Sequence, residues 1–368
     1  MKRFIPVAVP HFAGNEKKYV DDCMDTAWIS SAGKYVSQFE EKYAEYMGMK
    51  EAISCCNGTV ALHIPLIALG LQPGDEVIIP SFTYIATANA VKYCGATPVF
   101  ADCLQDTWNI DPEDIKRKIT SKTKGIMPVH LYGNPCDMDA IMKIAKDHDL
   151  FVIEDAAECH GATYKGRKVG TFGDVSTFSF FGNKIITTGE GGMVVTNNEE
   201  LANQMRILKG QGQDPNRRYW FIEVGYNYRM TNIEAAIGLA QLENIELHIG
   251  DRRKVASWYQ EELHGMEDYI KFQEITSGAE GVWWMFSIIL KDTIKITRDQ
   301  LMNKLKEDGI ETRPLFYPMH LMPVYEDPNA ECPVSEKIAA NGMNLPTHAL
   351  LSRDDVKYIC ERLRAYIV

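Results

Sequence analysis

The spacing of apolar and polar positions changes period repeatedly along the chain. "KYVSQFEEKYAEYMG" sets Val36, Phe39, Tyr43 and Tyr46 at helical intervals and stops at Gly48, which predicts an amphipathic helix with a glycine cap. "EAISC" then reads as a short strand that meets "NGT", with a helix beginning near Val60. "DEVIIPS", "PVFAD", "GIMPVHLYG" and "LFVIED" are short apolar runs that predict buried strands. Between them, "YIATANAVKYCG", "DPEDIKRKI" and "MDAIMKIAKDHD" predict helices, the second opened by Asp111 as cap and Pro112 at its first position. "VSTFSFF" and "GGMVVTN" add two further strands. Strands alternating with helices predict an α/β fold with a mostly parallel sheet covered on both faces.

Past about Gln241 the pattern changes to a long charged, amphipathic stretch carrying Leu242, Ile245, Val255, Trp258 and Leu263. One strong strand, "WWMFSIIL", and helices near Asp299–Asp308 and Asp354–Ile367 follow. The expected division is a large domain over 1–240 and a smaller C-terminal α/β domain over 241–368. Pro65 falls several residues into the helix after "NGT", where it removes one backbone hydrogen bond and predicts a kink.

Composition narrows the function classes. A chain of 368 residues is long enough for two lobes around more than one core. The net charge of -11 argues against a nucleic-acid partner, since phosphate backbones demand basic stripes. No apolar run reaches the roughly 18–20 residues of a membrane span, and "MKRFIPVAVPHF" has no signal-peptide core, so no membrane insertion is expected. The nine cysteines are an odd number, and Cys55-Cys56 has no second pair at ligand spacing. No metal site is expected, and a reducing cytoplasm is the expected location.

Five features could carry chemistry. Asp155 ends the buried strand "LFVIED", and in open α/β sheets ligands sit at the carboxyl ends of strands. It could equally cap a helix starting in "DAAE". Lys184 follows an apolar strand and precedes a glycine-rich turn, where a lysine can be held with a depressed pKa as a nucleophile, or can simply be solvated. "NGT" at Asn57–Thr59 could offer a helix start to an anion, or be a plain capped helix. Ser179 adds a hydroxyl, and Tyr84 in "SFTY" offers an aromatic face or core packing. Together these are the parts of a pyridoxal phosphate site: an amine, an acid for the ring nitrogen, a phosphate cradle and a stacking ring.

The ordered motifs "WISSAGKYVSQFE", "NGTVALH", "GDEVIIPSFTY", "HLYGNPCDM", "IEDAAECHG", "TFGDVSTFSFFGNKIITTGEGG", "GYNYRMTNIEAAIGLAQL" and "RPLFYPMH" span nearly the whole chain. They resemble the DegT/StrS-type sugar-nucleotide aminotransferases, which have the fold type I, aspartate aminotransferase-like architecture. The resemblance implies pyridoxal 5'-phosphate as cofactor, L-glutamate as donor and a keto sugar nucleotide as acceptor. It makes Lys184 the cofactor lysine and Asp155 the partner of the pyridine nitrogen, the two catalytic residues. Glu158 would sit beside the ring hydroxyl, Gly58, Thr59 and Ser179 would hold the phosphate, and Tyr84 would stack on the ring. Asn227 would reach the phosphate in the neighbouring subunit of a homodimer with shared sites. Arg313, Tyr317 and His320 lie in the stretch that approaches the sugar nucleotide. "FSFFGNKIITTGEGGMVV" and "RYW…YNYRMTN" look most like members that aminate GDP-4-keto-6-deoxymannose for lipopolysaccharide O-antigen. A UDP- or dTDP-linked acceptor is the alternative, and a non-catalytic sensor retaining the fold is the rival of another class. A dehydratase of the same family has histidine where this chain has Lys184, which favours aminotransfer. His160 and the cysteines of "SCCNGT" and "AAECHG" are expected to be structural.

Overall fold

The computed structural model describes residues 4–368. Five strands come first: β1 (Glu51–Cys55), β2 (Glu76–Pro80), β3 (Thr97–Ala101), β4 (Thr123–Ile126) and β5 (Phe151–Asp155). A small hairpin, β6 (Thr163–Tyr164) and β7 (Arg167–Lys168), separates them from β8 (Val175–Ser179) and β9 (Gly192–Thr196). Seven of these form one sheet in the order β1-β9-β8-β5-β4-β2-β3. The pairs β2–β3, β2–β4, β4–β5 and β5–β8 are parallel, while β9 runs antiparallel to both β1 and β8. The mostly parallel sheet expected from the alternation is therefore present, with β9 as the reversed strand.

Strand alternation divides the apolar side chains between two faces. Ile78, Val152, Met193 and Val195 enter one core, whereas Val77, Ile79, Ile153 and Val194 enter another. Helices cover both faces, so the strands read as continuous apolar runs. These helices are α1 (Glu16–Asp25), α2 (Lys34–Met47), α3 (Gly58–Ala68), α4 (Ala86–Tyr93), α5 (Pro112–Lys118), α6 (Met138–Asp147), α7 (Glu199–Lys209) and α8 (Asn232–Glu243). α2 buries Phe39 and Tyr43 and ends on Gly48 at φ 69°, as its spacing predicts. α3 starts at Gly58, ahead of the expected Val60, and runs without interruption through Pro65. "GIMPVHLYG" is a strand only as far as Ile126. Pro128 has no N–H to offer a ladder, and Leu131–Gly133 closes into a 3-10 turn with Tyr132 at φ 57°.

A second lobe follows α9 (Ile245–Glu262). Its strands are β10 (Ile270–Phe272), β11 (Ala279–Glu280), β12 (Phe286–Leu290), β13 (Arg313–Pro314) and β14 (Gly342–Leu345). Four of them pair in the order β10-β12-β14-β13, while β11 pairs with β6 of the first lobe. α10 (Arg298–Glu307), α11 (Pro333–Asn341) and α12 (Arg353–Ile367) complete it. Ile5 bridges to Ile310 and lies in the same core as Tyr259, Phe286 and Leu363, so the chain's start packs into this C-terminal lobe.

Candidate active site

β5 ends in two adjacent acids whose fates are opposite because neighbours on a strand face opposite sides. Glu154 is fully buried and accepts from the Gly170, Phe172 and Gly173 N–H groups at 2.6–2.8 Å and from the Ser176 hydroxyl at 3.1 Å. The His130 Nε2 lies 3.1 Å away; the Cys136 N–H donates to Nδ1, so Nε2 carries the proton and donates to Glu154. Burial alone would raise this carboxyl, but those donors hold it below its ordinary value. Asp155 has only the Thr87 hydroxyl on Oδ2 at 2.8 Å and the Ala157 N–H on Oδ1 at 3.2 Å. Burial raises its pKa despite both. No helix starts at Asp155; the next residues form turns, so the helix-cap alternative falls away. Asp155 is a buried acid with capacity for a further partner.

Lys184 follows β8 in a turn closed by its own N–H to the Phe181 carbonyl at 2.9 Å. Its side chain is 11% exposed, so it is not a solvated surface lysine. Nζ lies 3.8 Å from Glu158 Oε1 and 4.1 Å from the centre of the Trp284 ring. Burial lowers the lysine's pKa and raises that of Glu158, and their mutual attraction opposes both shifts. Glu158 also accepts from the Tyr132 N–H at 2.7 Å. The Tyr132 hydroxyl in turn accepts from the Phe316 N–H at 2.9 Å, and its ring stacks between Trp284 and Phe316. The positive φ of this tyrosine is a backbone cost placed where two walls of the site meet.

The third part is the start of α3. Asn57 is extended and its side chain accepts from the Val60 N–H at 3.0 Å, which leaves the N–H groups of Gly58 and Thr59 without helical acceptors. A Cβ at Gly58 would stand 2.8 Å from Ser179 Cβ, so only glycine lets the helix start approach the end of β8 this closely. Gly58, Thr59, Tyr84, Asp155, Glu158, Ser179, Lys184 and Arg313 all line one cavity of about 770 Å³.

Residues 10–364 match the DegT/DnrJ/EryC1/StrS aminotransferase family. The chain belongs to that family. It is 52% identical to the GDP-perosamine synthase of Caulobacter vibrioides over 99% of this chain and 98% of that one. Its identity to the GDP-perosamine synthase of Escherichia coli O157:H7 is 50%, over 99% of both chains. Among solved structures it resembles S. venezuelae DesV in complex with a ketimine intermediate, with a TM-score of 0.90, 33% identity and coverage of 96% of this chain and 94% of that one.

In this aminotransferase fold the remaining expected residues separate. Arg313 reaches the cavity from β13, with a side chain 45% exposed beside Glu311 at 3.5 Å. Tyr317 is exposed and lies outside the lining, with the Arg298 guanidinium over its ring. His320 also lies outside it: the side chain is buried, with Nδ1 2.7 Å from the Ser81 hydroxyl and Nε2 3.3 Å from Glu336. Asn227 is exposed and its Oδ1 accepts from Arg229 at 2.8 Å; it is not among the residues lining this chain's own cavity, although its neighbour Tyr228 is. His160 sits between the Tyr43 hydroxyl and the Ser179 carbonyl, and burial drives its pKa down to about 3, so it is a neutral brace beneath β8. Among the described residues, no group of three or more His, Cys, Asp or Glu is set to hold a metal ion. No helix there is long and apolar enough to cross a membrane.

The donor set fits a flat anionic ligand with a basic ring nitrogen. The free N–H groups at the start of α3 and the Ser179 hydroxyl could receive an anion, and the Gly58 cradle would be filled by any side chain. An under-satisfied carboxyl and an amine line the same cavity. Thr87, Tyr132 and Trp284 belong to this arrangement, as does Arg252, which donates to the Lys184 carbonyl at 3.2 Å, and none of them is among the expected site residues.

Proposed function

We propose that this aminotransferase uses pyridoxal 5'-phosphate to carry an amino group from L-glutamate to GDP-4-keto-6-deoxy-D-mannose, giving GDP-perosamine. The observation that supports it most is the convergence of Lys184, Asp155, Glu158 and the start of α3 on one cavity, in a chain so close end to end to two GDP-perosamine synthases. When bound, the cofactor supplies an electron sink for the charge left when a substrate proton departs.

The chain's own residues divide the work. Lys184 Nζ carries the cofactor and, once freed, moves the proton at the substrate α-carbon; it is the one lysine in the cavity lining among the described residues. Asp155 holds the proton on the ring nitrogen, oriented by Thr87 and Ala157. Glu158 would sit beside the ring hydroxyl, the Gly58 and Thr59 N–H groups and Ser179 would hold the phosphate, and Tyr84 would stack on the ring. Trp284 and Phe316 form an apolar wall that keeps water from the reacting atoms. Arg313, from the proposed smaller domain over 241–368, attracts the anionic substrates. Tyr317 and His320 act nearby, His320 only by supporting Ser81. The exposed position of Asn227 supports its serving the phosphate in a second copy, and hence a homodimer. The proposed setting is the cytoplasm, with the amino sugar destined for lipopolysaccharide O-antigen.

The test supplies the loaded enzyme with L-glutamate and GDP-, UDP- or dTDP-linked 4-keto-6-deoxy sugars, and follows the amino sugar nucleotide and 2-oxoglutarate by mass spectrometry. Turnover is expected with the GDP-linked sugar. Turnover with a UDP- or dTDP-linked sugar alone would replace this acceptor.

A further inference from the structure

Arg252, on α9, is 4% exposed, and among the described residues no carboxylate pairs with it. Its guanidinium instead gathers four peptide carbonyls. Nη1 donates to Trp284 O at 2.9 Å and Thr347 O at 2.8 Å, and Nη2 to Lys184 O at 3.2 Å and Asn183 O at 3.5 Å. The Asn183 carbonyl is gripped a second time by the Trp284 indole N–H at 2.8 Å. One side chain thus binds the peptide of Lys184 to the peptide of the ring beneath its amine, and both to the second lobe. A buried cation without a counterion is costly, and an apolar residue could fill the same space. A planar fork with five donors is the side chain that can span carbonyls on three separate segments; an ammonium cannot.

The charge has a second consequence. A lysine nucleophile must be neutral. Asp155 and Glu158 both draw Lys184 toward the ammonium form, the Trp284 face does the same, and His160 behind β8 is neutral. Arg252 is the cation that opposes them.

We infer that Arg252 is a positioning residue for Lys184, fixing its peptide so that the amine stands over Trp284 in the cavity and, through its uncompensated charge, favouring the neutral amine. The inference rests on the reading that Lys184 carries the cofactor. Desolvation and the Arg252 charge both depress the lysine, in line with it.

Two variants separate the grip from the charge. Arg252→Met removes both, and Arg252→Lys keeps the charge and loses the fork. In the apoprotein, Lys184 is labelled with acetic anhydride across pH and read by peptide mass spectrometry. Arg252→Met is expected to raise the labelling midpoint by about one pH unit, and Arg252→Lys to leave it near wild type. In the loaded enzyme both variants are expected to lose about tenfold or more in kcat, with KM for glutamate within about threefold, because Arg252 touches no substrate. An unchanged midpoint in an Arg252→Met protein with wild-type circular dichroism would overturn the electrostatic role. Wild-type kcat in Arg252→Lys would overturn the positioning role, and decides the matter if Arg252→Met does not fold. Borohydride reduction of the loaded wild type fixes the cofactor to its lysine. A label on another lysine rejects the cofactor reading, while the apoprotein midpoints still report the hold on Lys184.

Discussion

Gly58→Ala tests the phosphate cradle with one added methyl. The new Cβ would stand 2.8 Å from Ser179 Cβ, 3.0 Å from its Oγ and 3.4 Å from its Cα. Optimal carbon contacts are about 3.5–4.0 Å, so the nearest falls short by roughly 0.7 Å or more. The strand side cannot yield. Ser179 is registered against Gly192 across β8–β9, and a Cβ at Gly192 would itself stand 2.4 Å from the Asn57 carbonyl at the cap of α3. The helix start must therefore shift by several tenths of an ångström, carrying the Gly58 and Thr59 N–H groups with it. Losing one hydrogen bond to a charged group costs about 1.5–3 kcal/mol, or roughly 10- to 150-fold in affinity. Overpacking costs about 1–3 kcal/mol of stability, partly offset by about 0.4–1 kcal/mol from the stiffer unfolded chain. The assay is equilibrium titration of the apoprotein with pyridoxal phosphate, read by visible absorbance, beside thermal unfolding without cofactor. An affinity within twofold of wild type would refute the claim that these N–H groups hold the phosphate.

Asp155→Asn should lose turnover by orders of magnitude yet leave an apoprotein at least as stable as wild type at pH 8. Burial raises this acid above its ordinary 3.8, so its charge opposes folding above the raised value; the variant's advantage should shrink as pH falls toward 4, which denaturant unfolding across pH would show. Glu154→Gln should behave oppositely, losing about 3 kcal/mol or more at pH 8 because His130 and three N–H groups lose their charged acceptor; the loss should narrow as acid protonates the wild-type Glu154, whose pKa is held low. Mixing inactive Lys184→Ala with inactive Asn227→Leu should restore activity to about a quarter of sites if a homodimer shares its sites across the two-fold, and confirmed subunit exchange without recovery would exclude the sharing.

The parts of the site that were legible from sequence are those fixed by strand ends. Asp155, Ser179 and Lys184 follow apolar runs, and α/β topology gathers such ends along one edge. The parts that were hidden act through tertiary contacts with no local signature. Arg252 sits in "GDRRKV" on a charged helix and looks like a solvated cation until the turn of Lys184 folds over it. Tyr132 lies in an apolar run that reads as strand, but pairing with β5 stops after the Val129–Asp155 bridge, the 3-10 turn Leu131–Gly133 follows, and the tyrosine becomes a stacked strut. His320 shares a motif with Arg313, but the 3-10 turn Met319–Leu321 directs it to Ser81.

The pair Glu154-Asp155 explains how the edge of the candidate site can hold an unsatisfied acid without loosening the sheet. Both acids come from one strand end and both lie in the interior. A strand cannot turn both to one face, so the chain provides two environments within two residues. On one face, His130, three N–H groups and Ser176 consume the charge of Glu154 and tie β5 to the loop ahead of β8. On the other, Asp155 receives two donors and Glu158 one, against a single buried amine. That face holds more negative capacity than the protein satisfies. A ligand bringing a protonated ring nitrogen supplies what is missing, so its binding relieves a cost already present in the fold. The same ligand's phosphate needs the opposite, an electropositive site, which the start of α3 supplies in the same cavity. The two unmet demands have opposite sign and line one pocket, so a ligand that answers both must carry a cationic and an anionic group.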